Sequence, residues 1–181
     1  MGRLVIVAIS FLLFTSNVIA GPVGNSNAEG TIHIGVNLGI SSILGEPFGS
    51  GLYGGYTFLG AGTFSEVALE KLSFAVEAES VNLGQIKLSS LQTHKASALG
   101  ASLVATLPLD SDYSLVVKAG ISKISHTINC SPKGCGNRET IGVNYGVSGL
   151  YVVTPKASLR AGLDYYPDGY KLISAGVLYR Y

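Results

Sequence analysis

The sequence predicts an all-β protein, an eight-stranded antiparallel up-and-down transmembrane β-barrel, on three observations. Apolar and polar residues alternate in segments close to the 9–11 residues that a tilted strand needs to cross a membrane. The composition is 47% hydrophobic and only 13% charged, against about 25% charged in an ordinary soluble domain. No apolar run long enough for a membrane helix follows the N-terminal segment. The alternation also reaches the last residue: in "ISAGVLYRY", Ile173, Ala175, Val177, Tyr179 and Tyr181 share one parity. A soluble chain end usually frays into a polar tail, so a strand pattern ending on Tyr181 predicts a strand held in a closed sheet.

Residues 1–20, "MGRLVIVAISFLLFTSNVIA", carry Arg3, then an apolar stretch from Leu4 to Phe14, then the small residues Val18 and Ala20 ahead of Gly21. This is the pattern of a cleaved secretory signal peptide. Losing Arg3 brings the twelve Lys+Arg down to match the eleven Asp+Glu. A formally neutral mature chain lacks the bulk charge for nucleic-acid binding. Residues 21–30 read as a flexible leader, and 31–181 as the barrel.

The first strand, "TIHIGVNLGI", places Ile32, Ile34, Val36, Leu38 and Ile40 on one face, with His33, Gly35, Asn37 and Gly39 on the other. Seven further segments alternate in the same way: Leu52–Phe58, Leu72–Val81, Ala96–Leu107, Tyr113–Ile124, Ile141–Val152, Ala157–Tyr166 and Lys171–Tyr181. "PLDSD" and "VTPK" are tight turns by their Pro and Asp content. The polar segments "SSILGEPFGSG", "NLGQIKLSSLQTHK" and the cysteine-bearing "HTINCSPKGCGNRET" read as loops, which a meander collects at one end together with "PDGY".

Residue type decides which face meets lipid. The non-aliphatic face is mainly Gly, Ser, Asn and Thr, as in Gly142, Asn144, Gly146 and Ser148. It suits a crowded lumen rather than bulk water. Glu77, Glu79, Lys118, Arg160, Asp164 and Arg180 share that parity, opposite the aliphatic residues. Apolar residues outward with polar ones inward is the membrane-barrel pattern, and only closure satisfies every strand's backbone in lipid. Lys123 breaks the parity, near the loop end of strand five, where a long side chain snorkels to headgroups.

Cys130 and Cys135 are the only cysteines. In an exported chain, two cysteines close together in a Pro/Gly loop predict one structural disulfide. Their spacing is not the redox CxxC, and one nearby histidine, His126, is too few for a metal site. An enzyme would need a nucleophile beside a base. His126 near Ser122 and Ser125 is the sole candidate, with no acyltransferase motif around it. His33 reads as a polar lumen filler. No catalytic residue, metal or cofactor is assigned.

With its signal peptide, "LYGGYTFLGAG", "LSFAVEAESV", "SLRAGLDYY" and the "GVLYRY" terminus, the chain resembles the eight-stranded outer-membrane β-barrel family of OmpA-like transmembrane domains and opacity-type surface proteins. The resemblance covers essentially the whole mature chain. It implies the outer membrane of a Gram-negative bacterium and contact with membrane lipid and lipopolysaccharide. It also implies a barrel-interior ion network of Glu77, Glu79, Lys118, Arg160 and Asp164. A terminal aromatic such as Tyr181, with Tyr179, would signal to the barrel-assembly machinery. An eight-stranded barrel is just wide enough for its own side chains, so function is expected in the loops, where Lys87, Lys95, Lys133 and Arg138 offer basic contacts. The reading is a monomeric, non-enzymatic barrel whose loops mediate adhesion, colonisation or envelope interactions, with host surface molecules as partners. The alternative is a narrow channel or an envelope-stabilising barrel with no dedicated ligand, and an enzyme that modifies lipid A comes behind both.

Overall fold

The structure, a computed structural model, describes residues 30–41, 48–59, 72–89, 92–130 and 136–181. The eight strands run β1 Ile32–Ser41, β2 Phe48–Leu59, β3 Ser73–Ser89, β4 Gln92–Pro108, β5 Tyr113–Cys130, β6 Asn137–Val152, β7 Ala157–Tyr165 and β8 Lys171–Arg180. Each pairs antiparallel with the next, and β8 closes on β1 with Val36 opposite Val177. The ladder outlasts β8 by one bond, because the Tyr181 N–H donates to the Ile32 carbonyl at 2.9 Å. The chain terminus is thus tied to the first strand. The segment 1–20 and all but Gly30 of 21–30 lie outside the described residues.

Side-chain parity follows the sequence. Ile32, Ile34, Val36, Leu38 and Ile40 stand exposed on the outer face, as do Leu99, Leu103, Ile121, Val147, Leu159 and Ile173. Exposed apolar residues in this number form a belt around the barrel, far beyond the patches a soluble surface tolerates. Tyrosines flank the belt. Tyr179 meets Tyr181 edge-on, and Tyr113 lies against Tyr151, near the end that holds the termini. At the other end Tyr145 stacks on Tyr165, and Lys171 lies 5.3 Å over the Tyr165 ring. Such aromatic girdles mark the two edges of the lipid. A Val117→Arg substitution in the belt, between the Tyr113 and Tyr145 girdles, is expected to cost about 2–4 kcal/mol, the cost of Arg near the bilayer midplane, read from denaturant titrations in lipid vesicles.

Two expectations are corrected. The polar stretches after Val81 and Ile124 are not loops: β3 and β4 stay paired out to Ser89 and Gln92, and β5 and β6 out to Thr127 and Asn137. Their strands are 16–18 residues long, against 9–12 in β1, β2, β7 and β8. Since 9–11 residues span the membrane, two hairpins project beyond it on one side. The outward residues of that part, such as Ser80, Asn82, Ser97, Lys95 and Ser125, are polar, as water rather than lipid outside them requires. Lys123 does not reach alone for headgroups either; its Nζ donates to Glu139 Oε1 at 2.9 Å, both residues exposed.

Candidate functional site

The lumen is filled in three layers. Near the termini, Tyr53, Ala75, Val104, Val116, Leu150 and Leu178 form an apolar cluster. Toward the other mouth, Val81, Leu83, Ala96, Ala98, Ile124, Tyr166 and Leu172 form a second. The charged residues lie between them. Apolar residues on the inward parity are what alternation alone leaves unread, because strand period separates the two faces without saying how deep a residue sits.

In the middle layer the five residues of the expected network meet, divided between two neighbouring carboxylates of β3. Glu77 accepts from Arg160 Nη1 at 2.8 and 3.1 Å and from His33 Nε2 at 3.0 Å. Arg160 Nε also donates to Ser148 Oγ, and its guanidinium lies 5.0 Å over the Tyr53 ring. Glu79 accepts from Lys118 Nζ at 2.7 Å, Asn144 Nδ2 at 2.8 Å and the Tyr166 hydroxyl at 3.3 Å. Lys118 reaches Asp164 Oδ1 as well, at 3.1 Å. Buried charges persist only when paired and hydrogen-bonded, and here each carboxylate has a cation. Asn144, Ser102 and Ser148, small polar residues of the inward face, are hydrogen-bonding members of the layer.

Two cavities of about 20 and about 30 Å³ flank the Glu77–Arg160 pair, which lines both. Each is large enough for one or two waters. Asn37 Oδ1 and the Tyr53 hydroxyl, which have no hydrogen-bond partner among the described residues, belong to residues lining the first.

At the outer mouth His126 is the hub of a second cluster. Its Nε2 lies 3.0 Å from Asp168 Oδ2, and its Nδ1 lies 3.2 Å from both His94 Nε2 and the Tyr170 hydroxyl. None of these partners is a serine: Ser125 lies on the outward parity, and the buried Ser122 hydroxyl has no hydrogen-bond partner among the described residues. The geometry of an acyl-transfer dyad is not formed there. A hydrogen bond from Thr140, reinforced by His126, holds the Asp168 carboxyl below its usual range. Burial first, then the charge on Asp168, raises the Tyr170 phenol. Nothing in the sequence flagged Asp168 and Tyr170 beyond their place in a turn.

Of the four basic residues expected at the surface, Lys95 and Arg138 have described side chains, and these two lie on opposite faces. Lys95 is exposed on the outer face of β4, whereas Arg138, opposite His126 across β5 and β6, lies on the inner face above the mouth. Lys133 and Cys135 lie outside the described residues, and so do the side chains of Lys87 and Cys130.

No protein-family model and no curated protein matches the chain. Solved structures do. The attachment invasion locus protein Ail of Yersinia pestis is similar at 15% identity over 85% of this chain and 100% of its own, with a TM-score of 0.59. The N-terminal β-barrel domain of Pseudomonas aeruginosa OprF gives 14% identity, 84% and 98% coverage and a TM-score of 0.61. Neisserial surface protein A gives 20% identity, 83% and 96% coverage and a TM-score of 0.57. The fold is therefore that of the eight-stranded outer-membrane β-barrels, and the continuous apolar belt suits such a membrane.

Proposed function

We propose that the protein is a monomeric surface-interaction barrel of a Gram-negative outer membrane. The lumen anchors the fold, and the projecting β3–β6 sheet makes adhesive or envelope contacts. One observation carries this reading: among the described residues, the projecting sheet has an unpaired strand edge. β6 pairs with β7 only from Tyr145 onward, so among the described residues the Asn137–Asn144 backbone has a partner strand on the β5 side alone. Ile141 and Val143 there are 71% and 65% exposed. An unpaired edge with apolar side chains is a template for an added strand. Ail, similar in fold, has been crystallised with the heparin analogue sucrose octasulfate, and the basic Lys95 and Arg138 beyond the belt suit sulfated or phosphorylated partners. Tyr179 and Tyr181, in the girdle near the termini, would serve as the signal read by the assembly machinery. The channel alternative has the two water-sized cavities in its favour, but the Glu77–Arg160 pair stands between them.

The test is to trim the β3–β4 and β5–β6 hairpins back to the belt and measure bacterial adhesion to host cells and to heparin-coated surfaces. Adhesion is expected to disappear while the unboiled protein still migrates as a folded band. Adhesion that survives both trims would sink the proposal.

A further inference from the structure

The β7–β8 turn lies across the outer mouth of the lumen. Its ends are joined by the Tyr166 N–H donating to the Tyr170 carbonyl at 2.8 Å. Asp168 and Gly169 take left-handed φ values of 59° and 78°, which an Asp-Gly pair accepts in a tight hairpin. Tyr166 points down into the outer apolar layer and reaches Glu79. Pro167 sits over Gly142, where an added Cβ would come within 3.0 Å of the proline ring. The glycine lets the turn settle against β6.

Three described side-chain contacts tie this turn to the β5 wall, Asp168 to His126 Nε2, Tyr170 to His126 Nδ1 and the Lys118 ammonium 5.6 Å over the Tyr166 ring. His126 in turn meets His94. The rings are 11° from parallel, with centroids 5.4 Å apart for nitrogens 3.2 Å apart. That ratio places both nitrogens near the line between the ring centres, so the rings meet edge to edge and share one hydrogen between them. A proton on one of the facing nitrogens makes a bond; a proton on each makes a clash of donors.

We propose that the β7–β8 turn is an acid-released lid, shut while the facing nitrogens of His94 and His126 share a single proton and lifted when both carry one. The other described groups facing this contact are Asp168 and Tyr170 from the turn and Arg138 and Thr140 from β6; Lys95, Lys123 and Glu139 lie on the outward parity. A first added proton is accommodated: His126 then donates from Nε2 to Asp168 and from Nδ1 to a neutral His94. A second is not, since it sets two imidazolium ions against each other beside Arg138, with Asp168 as the one facing carboxylate. His126 must turn away, and both of its bonds to the lid go with it. Tyr166 then leaves the apolar layer, and the Glu79–Lys118–Asp164 group opens to the outer side.

The sign follows from His94. Burial, then the neighbouring His126 charge, lowers its pKa in the closed form. The closed lid therefore binds protons less readily than the open one. Its stability is complete above the ordinary imidazole value of about 6.5 and falls as pH drops below it. Asp168, held low, stays charged through that window.

Hydrogen exchange of the peptide covering residues 165–171, in the full chain in lipid nanodiscs, tests this at about pH 7.5 and about pH 5, on either side of the imidazole range. After correction for intrinsic rates, exchange is expected to be severalfold faster at the lower pH. His94→Gln keeps an N–H donor that cannot charge, and its lid should stay protected at both values; His126→Gln should expose the lid at both. Heat-modifiability confirms a closed barrel in each case. Equal protection of the unaltered protein at the two pH values overturns the proposal, and so does a His94→Gln profile that falls as the unaltered one does.

Discussion

Lys118→Met is expected to destabilise the barrel by about 3–5 kcal/mol, the usual cost of removing one partner from a buried ion pair. The lysine sits between Glu79 at 2.7 Å and Asp164 at 3.1 Å, itself 4% exposed. Without it, two carboxylates face each other in a lumen whose cavities admit only a water or two. Glu79 keeps Asn144 and Tyr166 as donors, so the strain falls mostly on Asp164. Adding Glu79→Gln, which removes one of the two like charges, should recover part of the loss. The chain contains no Trp, so the denaturation midpoint is best followed by circular dichroism and by the gel shift between folded and boiled forms. A loss below about 1 kcal/mol, the scale of exposed ion pairs, would mean that water screens the layer.

Gly176→Val should prevent closure altogether. A Cβ at Gly176 would overlap the Val36 carbonyl oxygen and come 2.7 Å from the Asn37 Cα. Both are backbone atoms of β1 at the seam where β8 closes the sheet, and they cannot move without breaking the ladder. Gly149 provides the control: it lies on the outward parity, and a Cβ there meets nothing within 4 Å, so Gly149→Val should leave the barrel intact. The readout is the compact band of unboiled protein, absent for Gly176→Val and present for Gly149→Val. A compact Gly176→Val band would show that the seam can open enough to hold a side chain.

Glu77, Glu79, Lys118, Arg160 and Asp164 share the inward parity, because period two fixes the face of every residue once one face is known to be apolar. Which acid meets which base was not legible. Glu77 and Glu79 share a strand and a parity, and only the register of β3 against β2 and β4, together with the curvature of the closed sheet, sends one to Arg160 and the other to Lys118. The lengths of β3 to β6 were misread for a different reason. Beyond the belt the outward face meets water instead of lipid and turns polar, so the apolar outer stripe is lost and a paired strand looks like a loop.

The mouth shows the same division. Asp168-Gly169 announced a turn, and His126 stood out as one of three histidines. That the turn folds inward onto His126, and that His94 arrives there from β4, depends on contacts between residues 32 and 42 positions apart. The sequence by itself determined the strand count, the alternation and the lipid-facing side, because these are local consequences of backbone pleat and side-chain solvation. The tertiary structure alone decided the ion pairing, the projecting sheet with its edge unpaired among the described residues, and the His126 clasp. These arise from closure, which brings distant strands into one small lumen and lets the longer ones project above it.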